Sequence, residues 1–131
     1  MGIEIFDLKK NGFFDERGWA VNPIPVKMLG NKSFGHIHIT SIEPNAVRGN
    51  HYHENTIEFL SVFGGEYDFH YKEDGMEKSR HVPADELVGI KIDSGVTHAV
   101  KNIGNNTIYI MAYYDKPYDH ENPDTVRDII V

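Results

Sequence analysis

Three histidines and one glutamate in two short segments constrain this chain more than any other feature. The first segment carries His51, His53 and Glu58, and the second carries His98. Because side chains alternate across a β-strand, His51 and His53 would point to the same face. Four such donors meeting inside a barrel would hold one transition metal, since imidazole suits Zn, Fe, Ni or Cu and a carboxylate also suits Mn and Fe.

Short β-type runs separated by Gly, Asn and Asp make up most of the chain, without strong helical periodicity. Residues 66–72 alternate aromatic and polar side chains, which is typical of a half-buried strand. Asp74-Gly75 is a hairpin-turn signal. Roughly eight or more strands at about ten-residue spacing predict an all-β fold, either an antiparallel barrel or a double-sheet jelly roll.

The length of 131 residues predicts a single domain over 1–131. Within it we expect an N-terminal extension over about 1–34, a barrel over about 35–114 and a C-terminal tail over 115–131. The tail ends in the apolar run Ile129-Ile130-Val131. Such a run is often held on a partner or on the barrel, so it suggests a homodimer.

Composition limits the classes of function. The chain has no cysteine, which excludes disulfides, thiolate metal sites and a cysteine nucleophile and fits a reducing cytoplasm. The formal net charge of −7 argues against general nucleic-acid binding, because no basic excess is available for phosphates. No apolar run approaches the ~18 residues of a membrane span, and no signal peptide is recognisable. We therefore expect a cytoplasmic protein without a membrane partner.

The spacing H-x-H-x4-E-x6-G, followed by G-x2-H-x3-N, resembles the two motifs of the cupin superfamily. The four ligand positions match, and so do the trailing Gly65 and Asn102. This resemblance implies a single cupin domain, a double-stranded β-helix or jelly-roll barrel. It also implies one divalent transition metal, Zn, Fe, Ni or Mn, whose ligands would be His51, His53, Glu58 and His98.

Other runs resemble proteins of nucleotide-sugar metabolism. The D-E-R-G run at 15–18 and the R-G-x-H run at 48–51 are similar to elements of the dTDP-4-dehydrorhamnose 3,5-epimerase family. Residues 48–53 and the E-N-P-D-T run at 121–125 are similar to the cupin half of capsular-polysaccharide assembling proteins. The resemblance implies epimerisation or isomerisation of a nucleotide-linked 4-keto-6-deoxy sugar, in which a proton leaves a carbon beside the carbonyl and another returns.

Carried over by position, His51 would be the catalytic base and Tyr113 or Tyr114 the acid, while Arg17 and Arg48 would contact the phosphates or the sugar. Tyr113 and Tyr114 point to opposite faces of a strand, so at most one can enter the barrel. These epimerases lack the second histidine and hold no metal there, and a ligating His51 cannot freely act as base. The capsular type, by resemblance, carries a metal, which could polarise the keto group.

Two other functions fit the same ligand set. A non-haem metal dioxygenase would use three histidines and one glutamate around an open metal, and a non-catalytic cupin would bind a small ligand beside a structural metal. The remaining histidines are interpreted differently. We expect His36 and His38 to be structural residues on one face of a strand, His70 and His81 to be solvated, and His120 to be exposed.

Overall fold

The computed structural model describes residues 2–24, 35–117, 119 and 121–131. Residues 25–34 of the predicted N-terminal extension and the predicted exposure of His120 lie outside these ranges. Within them regular structure is almost entirely β, as predicted, and the only helical element is a 3-10 turn at Lys9–Asn11. Among the described residues, no helix has the length and apolar character that crossing a membrane requires.

Twelve strands follow one another within the described ranges. They are β1 (Ile3–Asp7), β2 (Phe13–Asp15), β3 (Gly18–Ala20), β4 (His36–Ile42), β5 (Val47–His53), β6 (Glu58–Phe63), β7 (Tyr67–Glu73), β8 (Met76–Val82), β9 (Val88–Ile92), β10 (His98–Asn102), β11 (Ile108–Tyr114) and β12 (Thr125–Arg127). Ten of them form two five-stranded sheets, in the orders β1-β9-β6-β11-β4 and β12-β5-β10-β7-β8. Strands β2 and β3 form a separate hairpin. Neighbouring strands are antiparallel, which confirms the predicted jelly roll.

The two sheets are held together by apolar side chains on their inner faces. Leu60, Ile90 and Ile110 come from one sheet, Phe69 and Val100 from the other, and all five belong to one buried cluster. Alternation along each strand places these residues inward, so their burial supplies the main stabilising term. Polar side chains are also buried inside the barrel, notably the predicted ligands Glu58 and His98.

Asn102 of the second motif has a structural role. Its side chain is fully buried. The amide nitrogen donates to the carbonyl oxygens of Ile42 at 2.9 Å and Asn106 at 2.7 Å, and the amide oxygen accepts from the Gly104 N–H at 3.0 Å. Because all of these polar groups are paired, Asn102 fixes the turn between β10 and β11.

The C-terminal tail is bound to the barrel. Strand β12 pairs with β5, with Thr125 opposite His53 and Arg127 opposite His51. The Asn50 side-chain oxygen then accepts the Ile130 N–H at 2.9 Å. The Ile129 side chain is nevertheless 63 % exposed. The tail therefore contributes a strand beside the predicted metal ligands, and the homodimer stays a prediction.

Candidate metal centre

The four predicted metal ligands converge inside the barrel. His51 and His53 lie on β5, Glu58 begins β6 and His98 begins β10. Each residue offers one ligand atom, and these atoms all lie within 4.8 Å of one another. The spacing of the two motifs therefore correctly predicted that these four side chains, which come from strands of both sheets, lie close together.

A glycine allows β5 to approach β10 closely at this point. His51 lies directly opposite His98, and the ladder shifts register between His98 and Ala99. Gly49, opposite Ala99, has a φ of 104°. A Cβ on Gly49 would lie 2.8 Å from the His98 carbonyl oxygen. The R-G-x-H run thus needs glycine both for its backbone conformation and for space.

Glu58 is the carboxylate around which two imidazoles gather. Its Oε1 lies 3.2 Å from His53 Nε2 and 3.0 Å from His98 Nε2. Yet the Glu58 Oε1 and His53 Nε2 atoms are buried without a hydrogen bond of acceptable geometry. Buried polar atoms of this kind are costly unless something else satisfies them. A cation between the imidazoles and the carboxylate would satisfy both atoms, so this donor set fits a metal ion.

Electrostatics favour the deprotonated, metal-binding forms of His51 and Glu58, whereas the Glu58 carboxylate favours protonation of His98. Burial, followed by the nearby His98, lowers the pKa of His51 to about 4, so its imidazole is neutral at neutral pH. Burial by itself would raise the pKa of Glu58, but His98 and His53 lower it below its usual value. Burial opposes protonation of His98, whereas the Glu58 carboxylate raises its pKa. A bound metal ion would take the place of the proton that the Glu58 carboxylate otherwise favours on His98.

Backbone and tail groups orient two of the imidazoles. The His98 Nδ1–H donates to the Val96 carbonyl oxygen at 3.0 Å, which leaves Nε2 facing Glu58. The Thr125 hydroxyl lies 3.3 Å from His53 Nδ1. Such partners fix the tautomer and ring orientation of metal-binding histidines.

Asp124 fixes the connection between His53 and Glu58. Its carboxylate accepts the N–H groups of Glu54 and Asn55, both at 3.0 Å, and the Thr56 hydroxyl at 2.5 Å. Sequence reasoning treated this part of the tail only as a point of resemblance. The contacts join residues 68 to 70 positions apart, so the one available signal was the E-N-P-D-T run itself.

The four ligands line a cavity of about 950 Å³. Side chains of β4, β11 and the tail form other parts of its wall, including His36, His38, Tyr114, Asn122 and Pro123. This volume accommodates a small-molecule ligand. The site therefore combines a metal-type donor set with room for a substrate.

The two candidate tyrosines lie on opposite faces of β11, and only one of them lines the cavity. Tyr114 lines the cavity, pairs with Glu58 across β11 and β6, and has its ring 5.2 Å from that of His53. Tyr113 points to the opposite face of β11, where its hydroxyl lies 3.2 Å from Met111 Sδ. Only Tyr114 is brought to the cluster, as strand alternation requires.

The two candidate arginines also differ in position. Arg48 lines the cavity, and its Nε donates to the Ser41 carbonyl oxygen at 2.9 Å. Arg17 lies at the β2–β3 turn, where its guanidinium contacts the Asp15 carboxylate at 2.6 Å. That contact lowers the pKa of Asp15. Arg17 is not among the residues that line the cavity.

Sequence reasoning missed the position of a second histidine pair. His36 and His38 do lie on one face of β4, but this face lines the cavity, while Ile37 and Ile39 on the other face are 50 % and 59 % exposed. The His38 ring lies 5.2 Å from that of Tyr114. Burial, the largest effect, lowers the pKa of His38, although Glu58 opposes it. The alternating H-x-H pattern was the available signal.

The other two described histidines lie away from this cavity. His81 is exposed, as expected, and its Nδ1 lies 3.0 Å from the Asp68 carboxylate. His70 is only half-exposed and its Nε2 is buried, because β7 lies between β8 and β10. The ring nitrogen of His70 is thus less solvated than the polar character of its strand suggested.

Comparison with known proteins identifies the family of this chain. The family model described as the polysaccharide biosynthesis C-terminal domain matches residues 14–126. A curated relative, the UDP-2-acetamido-2,6-beta-L-arabino-hexul-4-ose reductase of Pseudomonas aeruginosa, is 26% identical over 102 residues. The match covers 76% of this chain but only 27% of the reductase, so the chain spans little more than a quarter of that enzyme.

Solved structures support the fold. The capsular polysaccharide assembling protein CapF from Staphylococcus aureus matches with a TM-score of 0.69 and 22% identity, over 76% of this chain and 27% of CapF. A variant of the 3,4-ketoisomerase QdtA from Thermoanaerobacterium thermosaccharolyticum, in complex with TDP-4-keto-6-deoxyglucose, matches with a TM-score of 0.76 and 16% identity. That match covers 97% of this chain and 88% of QdtA. These similarities confirm the cupin-type jelly roll and the resemblance to capsular-polysaccharide proteins.

Proposed function

The chain belongs to the polysaccharide biosynthesis C-terminal domain family, and we propose that it is a metal-binding isomerase or epimerase. Its substrate would be a nucleotide-linked 4-keto-6-deoxy sugar. The convergence of His51, His53, Glu58 and His98 in a cavity of about 950 Å³ carries the proposal. The ketoisomerase with similar structure binds TDP-4-keto-6-deoxyglucose, which supports the substrate class.

The metal would be held by the three imidazoles and the Glu58 carboxylate. Zn, Fe, Ni and Mn all accept this mixture of nitrogen and oxygen ligands. Four protein ligands leave a position for substrate on a five- or six-coordinate ion. A bound ion would supply Lewis-acid polarisation of the sugar's keto oxygen.

The chain's own residues would orient the sugar and move protons. Tyr114 is the candidate acid, because it lines the cavity beside both Glu58 and His53. Arg48 is the candidate contact for a phosphate or a sugar hydroxyl, since it also lines the cavity. We assign His51 to the metal, because its ligand atom lies with those of the other three ligands. The predicted catalytic role of Tyr113 and the binding role of Arg17 receive no support from their positions.

The test is deuterium incorporation from D2O into TDP-4-keto-6-deoxyglucose, followed by proton NMR with metal-loaded and chelated protein. We expect exchange at a carbon adjacent to the carbonyl in the loaded sample alone. Replacing His53 by Ala should remove the metal, as measured by inductively coupled plasma mass spectrometry, while circular dichroism still reports a β-fold. Tyr114→Phe should slow exchange without changing metal content, with Tyr113→Phe as the matched control.

Other results would contradict this function. If loaded protein catalysed no exchange, the sugar isomerase or epimerase assignment would be wrong. Oxygen consumption by the Fe(II) form would then support the dioxygenase alternative. A metal whose removal unfolds a protein without turnover would support the ligand-binding alternative. Full metal occupancy in the His53→Ala variant would contradict the ligand assignment.

We also propose that the protein is a homodimer. The outer face of β4 presents Ile37 and Ile39, which are 50 % and 59 % exposed, and Tyr109 of the neighbouring β11 is 42 % exposed. Among the described strands, β4 lies at the edge of its sheet, where a second copy could cover this apolar surface. Sedimentation equilibrium should give twice the chain mass, and Ile39→Glu should shift the protein to monomer. A wild-type monomer would refute this proposal.

A further inference from the structure

The proposed reaction requires a base, and His51 cannot fill that role while its imidazole holds a metal. The cavity contains two further imidazoles, His36 and His38, on β4. Strand β4 belongs to the sheet opposite the one that carries His51 and His53. These imidazoles therefore face the substrate space from the wall opposite β5.

We propose that His38 is the catalytic base, an inference that rests on the proposed function. The His38 side chain is half-buried and lines the cavity, whereas both of its neighbours on β4 are exposed on the outer face. Its ring lies 5.2 Å from the Tyr114 ring, which in turn lies 5.2 Å from the His53 ring. A sugar beside Tyr114 would therefore contact His38 as well as the metal-binding end of the cavity.

His38 is better placed than its neighbour His36. The His38 ring lies 5.2 Å from the Tyr114 ring, slightly nearer than the His36 ring, and the Tyr114 ring lies 5.2 Å from that of the predicted ligand His53. His36 pairs with Tyr114 across β4 and β11, and its ring stacks on the tyrosine at 5.6 Å. We interpret that stacking as support for the orientation of Tyr114.

The proton transfer can be written without any additional reactant. A neutral ring nitrogen of His38 accepts the proton from the carbon next to the carbonyl. The C–H electron pair forms a C=C bond, and the carbonyl π pair moves to the oxygen, which gives an enolate. The reverse electron flow restores a carbonyl when carbon is protonated again.

The group that returns the proton decides the product. If Tyr114 donates its hydroxyl proton to the opposite face of the same carbon, the product is an epimer; protonated His38 then releases its proton to solvent, and the Tyr114 phenolate takes one up. If protonated His38 donates to the former carbonyl carbon, the keto group moves by one position. In that case a hydroxyl proton also passes from one sugar oxygen to the other, so the atoms balance in both outcomes.

The experiment compares wild type, His38→Gln and His81→Gln in the NMR exchange assay with TDP-4-keto-6-deoxyglucose. His81 is the matched control because it is an exposed strand histidine that pairs with Asp68. We expect His38→Gln to slow exchange by at least about 100-fold, which is typical of losing a general base. Metal content should be unchanged, and the control should exchange at the wild-type rate. Added imidazole should restore part of the rate to His38→Ala.

Each alternative result has a defined meaning. Exchange by His38→Gln within about threefold of wild type would overturn the inference while leaving the proposed function intact. Loss of metal together with activity would also overturn it, because His38 would then act through the structure of the site. A large loss in His36→Gln, with none in His38→Gln, would move the role to His36. Absence of exchange by wild type would refute the proposed function itself.

Discussion

Replacing Asp124 by Ala tests whether the tail holds the predicted metal ligands in place. The Asp124 carboxylate accepts three hydrogen bonds from the connection between His53 and Glu58. It is half-buried, and its pKa lies below the usual value because the Thr56 hydroxyl and the Asn55 N–H outweigh the opposing effect of burial. Alanine would leave these donors without their acceptor, so Asp124 would no longer hold the segment between His53 and Glu58.

The size of the effect follows from these contacts. The Asn55 N–H and the Thr56 hydroxyl should each contribute about 1 kcal/mol, as capping bonds from partly exposed Asp do. The Glu54 N–H contributes less, because the Asp124 carbonyl oxygen also accepts it at 3.0 Å. We therefore expect Asp124→Ala to lower the free energy of unfolding of metal-free protein by about 2 kcal/mol. Metal affinity should fall about 10- to 100-fold, as for other losses of ligand-supporting groups.

Urea unfolding of chelated protein measures the free energy of unfolding, and competition with a chromophoric chelator measures the metal affinity. Asp85→Ala, at an exposed position in the turn between β8 and β9, is the control for removing a carboxylate. The m-value should stay constant, so the midpoint alone should move. A change below about 0.5 kcal/mol would show that Asp124 does not hold this connection. Unchanged metal affinity in a destabilised variant would refute the link to the ligands.

Two further variants test neighbouring features. Gly49→Ala should destabilise the fold by more than about 2 kcal/mol in urea unfolding, because its φ is 104° and its Cβ would meet the His98 carbonyl oxygen at 2.8 Å. Gly75→Ala, with a φ of 76° and open space around it, should cost less, and equal costs would refute the steric argument. Thr125→Val should weaken Zn²⁺ binding about tenfold in the chelator assay, with Thr107→Val as the control. Equal Zn²⁺ affinity in both threonine variants would contradict a role for Thr125 in orienting His53.

The convergence of the four predicted metal ligands could be predicted because local rules govern most of their arrangement. His51 and His53 share a face by strand alternation, and Glu58 follows across one short connection. His98 required the resemblance to a known pair of motifs, since nothing local states that β10 pairs with β5. The same alternation showed that only one of Tyr113 and Tyr114 could enter the barrel. Alternation alone could not decide which of the two tyrosines faces the cavity, because that depends on how β11 pairs with both β4 and β6.

Residues that act across long sequence separations were missed. His36 and His38 show the same alternation as the predicted ligands, but their role depends on which sheet face covers the cavity. Asp124 reaches Thr56 across 68 positions, and no period or turn signal indicates such a contact. Arg17 is the converse case, because its run resembles a substrate-binding element but its guanidinium contacts Asp15 within the same turn, so its predicted role receives no support from its position.

Acid should release the end of the tail through Asp128. The Asp128 carboxylate accepts the Thr97 hydroxyl at 2.6 Å and pairs with the Lys72 ammonium at 2.9 Å, and these contacts lower its pKa below 3.8. A carboxyl with a lowered native pKa stabilises the fold fully above its unfolded pKa, and this contribution disappears as the pH falls through the native value. Wild type should therefore unfold at higher urea than Asp128→Asn at pH 7, and the difference should shrink as the pH falls below the unfolded Asp pKa of about 3.9 and through the lower native pKa. Since the two proteins share every other titrating group, a difference that persists in acid would show that the charge of Asp128 does not hold the tail.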